Sequence, residues 1–289
     1  MNLTLITSVF SGVENQRLQE EATKLGHNLI ILDPTTIDLE ITSGQISLPQ
    51  LDVTKPDILI LRGVLYSVKK IVAIITYARS RGIKVFDNSL ELMQYSINKT
   101  SDLIKLASAG VLVPDTRVGE NYSLLPQMAL DLNFPLVAKP IDTGKGIGVT
   151  MLHNQGEFDL FLTQKIASGT KAKRIMLQKF VPYLHDLRVL VIGNQTFCME
   201  RIPKEGDFRA NFSLGGSVRL FTLDQANHEL AIKALQSINM SIGGVDILIT
   251  TGESYILEVN HSPGFEGMEA ATGANIASIW LTHAISTAK

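Results

Sequence analysis

Short apolar runs alternate with amphipathic helical patterns over the first third of the chain. Strands are predicted at Leu3–Val9, Asn28–Leu32, Ile58–Leu61 and Lys84–Asp87, and helices at Asn15–Leu25 and Ser67–Ser80. Alternating strands and helices are typical of a small parallel sheet that helices cover on both faces. We therefore expect an α/β unit whose ligand-contacting loops lie at the carboxyl edge of its sheet.

The pattern changes after a mostly helical stretch predicted over Ser89–Ala109. Strand-like runs now come in neighbouring pairs, Leu136–Lys139 with Gly148–Leu152 and Ile175–Val181 with Leu187–Ile192, and a helix is predicted between the pairs at Glu157–Ala167. The last third adds a helix at Leu223–Asn239, strands at Gly244–Thr250 and Ser254–Val259, and a helix from Asn275. This is an α+β pattern with antiparallel pairing, so we place domain boundaries near residues 88 and 182.

Composition narrows the class of protein. The chain has 289 residues, of which 45% are apolar and 19% charged, enough for a sizeable core in two or three domains and too apolar for a disordered chain. The net charge of −2 argues against broad binding to nucleic acid. The one cysteine, Cys198, suits a reducing compartment and is predicted to be a buried structural thiol. With no apolar run long enough to span a membrane, we expect a soluble cytoplasmic protein.

Two carboxylates and an amide interrupt the apolar strands near the C-terminus. Glu258 and Asn260 are two residues apart on one strand, so their side chains share a face. If the preceding turn is centred on Gly252, antiparallel pairing places Asp246 opposite Glu258. A hard cation such as magnesium would remove the cost of burying these oxygens. The alternative is a hairpin whose polar residues face solvent.

A glycine-rich segment follows a lysine at the end of a predicted strand. Lys139 precedes Gly144, Gly146 and Gly148, a spacing that suits backbone N–H groups folded over phosphates. The segment lacks the Gly-Lys-Ser/Thr ending of a Walker A loop, and it enters a strand where a dinucleotide fingerprint would enter a helix. A glycine-rich hairpin turn without a ligand remains the alternative.

Basic residues gather in a third segment, RIPKEGDFRANFSL over residues 201–214. Arg209 could bind a carboxylate or phosphate through two nitrogens, and Arg188, on a candidate strand, could do likewise. For either arginine alone, a surface salt bridge is the alternative. Neither His185 nor His261 has the spacing of a nucleophilic triad, and we find no such triad.

Taken in order, these residues form a recognisable series. Lys99, LVAKP with TGKGIG, LQKFV, HDLRVLVIG, RIPKEGDFRANF, GGVDIL and EVNHSPGFEG together resemble the ATP-grasp superfamily and, within it, the RimK-like carboxylate–amine (alpha-L-glutamate) ligases. The resemblance extends from about Asn88 to the C-terminus. It implies a three-domain ATP-grasp fold, with an N-terminal parallel α/β domain over residues 1–88, a central lid domain over 89–181 and a C-terminal antiparallel-sheet domain over 182–289.

The resemblance also implies a role for each matching residue. Lys99 and Lys139 would contact ATP phosphates, the Gly144–Gly148 loop would close over them, and Arg209 and Asn211 would lie beside them. Backbone groups of Lys179, Phe180 and Val181 would hold the adenine, with Asp186 near the ribose. Asp246, Glu258 and Asn260 would hold magnesium, for which manganese could substitute. The position of Arg188 suggests that it orients the acceptor carboxylate or the developing oxyanion.

The implied activity is an ATP-dependent carboxylate–amine ligation through an acylphosphate. The favoured reaction adds L-glutamate or another amino acid to a protein tail or a small-molecule carboxylate; a carrier-protein-dependent biosynthetic ligase and a non-catalytic nucleotide-binding module are the alternatives. We expect no nucleic acid or membrane partner, and the resemblance suggests a homo-oligomer. The chain departs from the family at Lys179, where an acidic residue is common, and at His261, where RimK itself usually has a small residue. These departures concern the substrate more than the fold.

Overall fold

The computed structural model describes residues 1–64, 67–87, 98–141, 143, 146–209 and 215–289. Two residues of the predicted site, Gly144 and Asn211, lie outside these ranges. So does the first part of the helix predicted from Ser89. In the part of the chain that the structure describes, no helix is long and apolar enough to cross a membrane.

The N-terminal unit is built on a parallel sheet, as predicted. Its strands are β1 (Asn2–Ile6), β2 (Asn28–Leu32), β5 (Ile58–Leu61) and β6 (Lys84–Phe86), in the order β2-β1-β5-β6. A small hairpin of β3 (Glu40–Thr42) and β4 (Gln45–Ser47) lies outside this sheet, and the helices are α1 (Val13–Lys24), α2 (Pro49–Thr54) and α3 (Val68–Ser80). Alternate residues of β1 pack into two different cores, one shared with α1 and one with α2 and α3, so helices cover both faces.

A second, antiparallel sheet follows. It contains β7 (Thr116–Val118), β8 (Leu136–Pro140), β9 (Thr150–Leu152) and β10 (Ile175–Lys179) in the order β7-β10-β8-β9. Helix α4 (Lys99–Ser108) precedes this sheet, and α5 (Leu125–Leu132) and α6 (Gln155–Ala167) pack on it through a core centred on Phe158. The predicted pairing of the strands on either side of the glycine-rich segment is confirmed, since β8 pairs with β9.

The third sheet is also antiparallel and carries most of the polar residues singled out in the sequence. Its strands are β11 (His185–Ile192), β12 (Gln195–Ile202), β13 (Ser217–Leu220), β14 (Ile242–Ile249) and β15 (Ser254–Asn260), in the order β13-β12-β11-β14-β15. Helices α7 (Gln225–Ser237), α8 (Glu266–Thr272) and α9 (Ile276–Thr287) complete the unit. Cys198 on β12 is buried, and burial raises the pKa of its thiol to about 12, as expected for a structural cysteine.

One predicted strand pair is wrong. The sequence suggested that the strand from Ile175 pairs with the strand from Leu187, but β10 belongs to the second sheet and β11 to the third. Beyond the end of β10 the chain crosses between sheets, so that Leu184 N donates to Ile249 O at 2.7 Å. Adjacency along the chain predicted a hairpin, whereas β10 pairs with β7 and β8 and β11 pairs with β12, the strand that follows it, and with the distant β14.

Two helices, α4 and α9, pack against a sheet that does not adjoin them in sequence. Leu103 and Leu106 of α4 pack in the core of the third sheet. Helix α9 places Trp280 and Leu281 in a core that includes strands of both the first and the third sheets. These apolar residues of α9 are therefore explained by core packing. Its start agrees with the sequence, because Asn275 Oδ1 caps α9 by accepting a hydrogen bond from Ser278 N at 3.1 Å.

Candidate active site

Asp246 on β14 and Glu258 on β15 lie directly opposite each other, as predicted. The connecting turn Thr250–Glu253 is closed by a backbone hydrogen bond of 3.0 Å, so its centre precedes Gly252 by half a residue. A regular register from this turn would bring Leu257 opposite Asp246. The register shift next to Asp246 leaves Leu257 as an extra residue of β15, and this β-bulge brings Glu258 into place.

Asp246 is buried between two arginines. Arg188 on β11 places Nε 2.5 Å from Oδ1 and donates from Nη2 to Oδ2 at 3.1 Å, while Arg201 on β12 donates from Nη1 to Oδ2 at 2.9 Å. Burial alone would raise the pKa of Asp246, but the two guanidinium groups outweigh burial and hold this pKa below its usual value. Arg201 also donates from Nε to Asp186 Oδ1 at 3.0 Å. Acidic and basic side chains therefore alternate across three strands.

Glu258 is the more open of the two carboxylates. Its side chain is 32% exposed, and the nearest cation, Lys99 Nζ, lies 3.7 Å from Oε2. Asn260 Oδ1 accepts a hydrogen bond from Ser262 N at 3.0 Å and keeps a second lone pair for another partner. Among the described residues, no three His, Cys, Asp or Glu side chains form a metal-binding group. Two carboxylates and one amide fit a hard cation such as Mg²⁺ that phosphate oxygens help to coordinate.

Two lysines face these carboxylates. Lys99, the first residue of α4, donates from Nζ to Thr143 O at 2.6 Å in addition to its contact with Glu258. Lys139 on β8 donates from Nζ to Gln178 Oε1 at 2.7 Å. Burial lowers the pKa of Lys139 to about 8, an effect that the carboxylate of Glu258 opposes and the ammonium of Lys99 reinforces. Both lysines therefore present amino groups where a polyanion would be stabilised.

The described part of the glycine-rich segment forms a tight turn above these lysines. Gly146 and Gly148 both have positive φ, of 72° and 74°. A Cβ on Gly148 would lie 2.9 Å from Pro140 Cγ, so a larger residue would strain this turn in two ways. Arg209 reaches the turn with Nη1 at 3.4 Å from Gly146 O, while Asp207 holds the other side of its guanidinium.

One open cleft, enclosing about 840 Å³ that includes space open to solvent, joins these features between the second and third sheets. Ten residues predicted from the sequence line it: Lys99, Lys139, Gly146, Lys179, Phe180, Val181, Asp186, Arg209, Asp246 and Glu258. Apolar side chains from both sheets complete its walls, namely Val137, Val149, Leu248 and Leu257. The cleft thus combines an apolar slot with a cluster of cations and carboxylates, as small-molecule sites commonly do.

The backbone of residues 179–181 forms one edge of the cleft. Lys179 N donates to Asp115 O at 2.8 Å and Phe180 N to Pro135 O at 3.3 Å, so these two N–H groups are already bonded within the protein. Val181 N has no hydrogen-bond partner within the part of the chain that the structure describes. A planar base lying in the slot could therefore accept a hydrogen bond from Val181.

Three described residues of the predicted site do not line the cleft, and some residues that do line it were not predicted. Arg188, Gly148 and Asn260 do not line it, and Arg188 joins the site through Asp246. Besides the four apolar wall residues, the sequence analysis assigned no individual role to four lining residues, Gln178, Tyr183, Arg201 and Phe208. The pattern contained a partial indication of Gln178 and Arg201, because each is a polar residue at an inward position of an otherwise apolar strand, 3% and 7% exposed respectively.

Comparisons with known proteins identify the family of the chain. The family model "RimK-like ATP-grasp domain" matches residues 96–284. The chain belongs to the RimK-like ATP-grasp family. A "Probable alpha-L-glutamate ligase" of Klebsiella pneumoniae is 30% identical over 91% of this chain and 88% of its own length. A "Ribosomal protein bS6--L-glutamate ligase" of Salmonella paratyphi B is 29% identical over the same shares.

The fold of this RimK-like protein is also found in solved structures. The ATP-grasp ligase PsnB, in complex with a minimal precursor, superposes with a TM-score of 0.75 over 99% of both chains at 17% identity. A second structure of PsnB also contains Mg and ADP. At this level of identity the likeness concerns the fold alone. Family membership makes the chain an ATP-grasp ligase of the class that joins a carboxylate to an amine by a carbon–nitrogen bond.

Proposed function

We propose that this protein uses ATP to activate a substrate carboxylate as an acylphosphate and then transfers the acyl group to an amine. The cleft supports this most directly, because it brings Lys99, Lys139 and Arg209 together with the Asp246–Glu258 pair. Three cations and a pair of metal-binding carboxylates are what a triphosphate with its magnesium ion requires. Magnesium held by Asp246, Glu258 and Asn260 would neutralise charge on the phosphates.

The first step is attack by a carboxylate oxygen on the γ-phosphorus of ATP. The bond from that phosphorus to the β–γ bridging oxygen breaks, ADP leaves, and the acylphosphate forms. Lys139 and Arg209 stabilise the charge on the transferring phosphoryl group, and the glycine turn at Gly146 closes over it. The apolar slot holds the adenine, with Val181 N donating to the base and Asp186 near the ribose.

In the second step the amine nitrogen attacks the acyl carbon. An amide forms, phosphate leaves with the former bond pair, and the amine loses a proton to solvent or phosphate. Arg188 lies beside the Asp246–Glu258 pair, and Asp246 fixes its guanidinium by two contacts. We assign to Arg188 the orientation of the acceptor carboxylate or of the oxyanion that develops on it. No covalent enzyme intermediate is required.

We further propose L-glutamate as the amino acid that is added, to a protein or peptide tail or to a small carboxylate. The named activities of the relatives support glutamate, and the precursor bound to PsnB supports a peptide acceptor. At His261 the chain departs from the residue that RimK itself usually has, so the acceptor need not be that of the relatives.

The test is release of ADP and phosphate from Mg²⁺ and ATP, screened over the amino acids singly and in pairs, with mass detection of the conjugate. Release that depends on glutamate, with a product lighter by one water than its two substrates combined, would establish the ligation. Glu258→Gln should lower the rate by about 100-fold, because one charged metal ligand is lost. Glu253→Gln, in the exposed turn of the same hairpin, is the matched control and should retain full activity. Absence of ATP binding, or normal turnover by Glu258→Gln, would contradict the proposal.

A further inference from the structure

A buried hydrogen bond joins the residue after Asn260 to the helix that carries Lys99. His261 Nε2 lies 2.9 Å from Asp102 Oδ2, and the two side chains are only 10% and 7% exposed. Because an ionised carboxylate can only accept, Nε2–H of His261 is the donor. The other oxygen, Asp102 Oδ1, has no hydrogen-bond partner among the described residues, and its ion pair with Lys105 Nζ is long, at 3.9 Å. The bond from His261 is therefore the shorter of the two side-chain contacts that orient this carboxylate.

Among the described residues, this bond is the middle one of three polar connections where α4 and the segment after it meet β15 and the residue after it. Lys99, on the first turn of the helix, faces Glu258 at 3.7 Å. One turn later Asp102 holds His261, and after the helix Leu112 O accepts from Ile256 N at 2.8 Å. β15 is an edge strand of the third sheet, and α4 with its following segment covers that edge.

The middle connection, together with the apolar packing of Leu103 and Leu106, determines where Lys99 can lie. Lys99 and Asp102 are three residues apart and therefore share a helix face. Lys99 also donates to Thr143 O at 2.6 Å, beside the glycine turn. A shift of α4 along β15 would therefore move Lys99 relative to both Glu258 and that turn. His261 directly follows Asn260, so its side chain ties down the end of the strand that carries two of the predicted magnesium ligands.

We propose that His261 is a positioning residue, whose bond to Asp102 holds α4 and β15 in register so that Lys99, Glu258 and Asn260 meet the phosphates and metal of one nucleotide. The inference rests on the proposed function, since it presupposes that nucleotide and metal bind there. His261 itself touches neither of them. This chain uses the His261–Asp102 pair to hold the two elements.

The experiment measures the Kd of ADP by calorimetry, with Mg²⁺ and with EDTA, beside kcat, KM for ATP and thermal unfolding. His261→Ala should weaken binding of ADP with Mg²⁺ by about 10-fold, a typical cost of losing a group that orients metal ligands. Binding of ADP in EDTA should weaken by less, by about threefold, because only the contact of Lys99 with the phosphates is then affected. His261→Gln places an amide donor near the position of Nε2 and should recover most of the affinity, and Asp102→Asn keeps an oxygen acceptor and should do the same.

His153→Ala is the matched control. His153 forms a comparable pair with Glu157, 2.9 Å apart, but both side chains are exposed and neither lines the cleft. If the buried carboxylate of Asp102, left with the long ion pair to Lys105, prevents His261→Ala from folding, the double variant Asp102→Asn/His261→Ala removes that charge along with the bond and should show the same loss. Any of these measurements is made at temperatures well below the unfolding transition of each variant.

The outcomes separate the two proposals. A wild-type protein that binds no ADP would overturn the proposed function and this role with it. A wild-type protein that binds ADP with Mg²⁺, together with His261→Ala of equal affinity, would overturn only the positioning role. The same conclusion would follow if His261→Ala lost affinity equally with Mg²⁺ and with EDTA and His261→Gln restored neither, because that result indicates a general structural defect.

Discussion

Arg201 on β12 and Asp246 on β14 are hydrogen-bonded across the intervening strand β11, with Nη1 and Oδ2 2.9 Å apart. The bond connects two strands that share no backbone hydrogen bonds. Arg201 is 7% exposed and Asp246 4%, and Arg201 also binds Asp186. One guanidinium therefore compensates two buried carboxylates, which makes it a stability element as well as part of the wall of the cleft.

Replacing Arg201 should cost much of the stability of the third sheet. Arg201→Met leaves Asp186 without its guanidinium and Asp246 with Arg188 alone, and we expect the free energy of unfolding to fall by about 3–5 kcal/mol. Urea denaturation followed by circular dichroism measures this change.

Arg209→Met is the matched control. Arg209 also pairs with a carboxylate, that of Asp207, but both side chains are about a quarter exposed, at 29% and 24%. A pair open to solvent should contribute no more than about 1 kcal/mol. Equal losses in the two variants would show that burial of the Arg201 network carries no stability.

Lys139 should make nucleotide binding depend on pH. Burial lowers the pKa of Lys139 to about 8, below the usual value for lysine, so the ammonium form is lost as pH rises through about 8. Because phosphates favour the ammonium form, the affinity for ADP in EDTA should be level up to about pH 7 and then fall, by at most about tenfold at pH 9. Calorimetry over this range in a single buffer series measures it.

The Lys139→Arg variant tests whether deprotonation of Lys139 causes the fall in affinity for ADP. A guanidinium keeps its charge throughout the range, so the variant should show little change of affinity between pH 7 and pH 9. A wild-type affinity that stays level over the same range would contradict the assignment. So would a slope that persists unchanged in the arginine variant.

The sequence allowed the opposition of Asp246 and Glu258 to be predicted, although part of the reasoning was wrong. Strand periodicity and a tight turn predicted that the two carboxylates pair, but the turn is centred half a residue earlier and the bulge at Leu257 makes up the difference. A bulge is an irregularity of one strand and leaves no mark in an apolar pattern. The pair was therefore predictable and its geometry was not.

Contacts between distant segments were the part that could not be predicted. Asp102 and His261 are 159 residues apart, and Arg201 meets Asp246 only because β11 lies between their strands. Local patterns determine which positions are buried, but the partner of a buried polar residue depends on how the elements pack. For the same reason adjacency wrongly paired the strand from Ile175 with the strand from Leu187.

Arg62 should stabilise the contact between the N-terminal unit and the segment after Asn260. It is 8% exposed and donates to Asn15 Oδ1 at 3.1 Å and to Pro263 O at 2.8 Å, with its guanidinium 5.8 Å from the ring centre of Phe265. Arg62→Met leaves two buried acceptors unpaired. We expect about 3 kcal/mol of lost stability in urea denaturation.

Arg81→Met is the control for Arg62. Arg81 likewise donates to a backbone carbonyl, Ile46 O at 2.9 Å, and lies 5.2 Å from the ring centre of Tyr77, but it is exposed. Its replacement should cost less than about 1 kcal/mol. A loss from Arg81→Met as large as that from Arg62→Met would mean that the buried acceptors at the junction are not what the arginine stabilises.

Gly244 lies on the same face of β14 as Asp246, where Pro263 and Asn260 pack closely against it. A single methyl group at this position should lower activity more than stability. An added Cβ would lie 3.1 Å from Pro263 Cβ, 3.4 Å from Asn260 Cβ and 3.5 Å from Arg188 Nη1. Pro263 must move by a few tenths of an ångström and Asn260 lies at the limit of ordinary contact, whereas Arg188 Nη1 is at an ordinary contact distance. The methyl group therefore disturbs the segment from Asn260 to Pro263. Gly244→Ala should therefore lower kcat/KM by about 10-fold or more, since small displacements at a reacting centre are costly.

Gly252→Ala, in the turn of the same hairpin with nothing within 4 Å of the added Cβ, should retain the wild-type rate. Steady-state assays of both variants at one temperature provide the comparison, and an unchanged rate for Gly244→Ala would show that Asn260 tolerates this displacement.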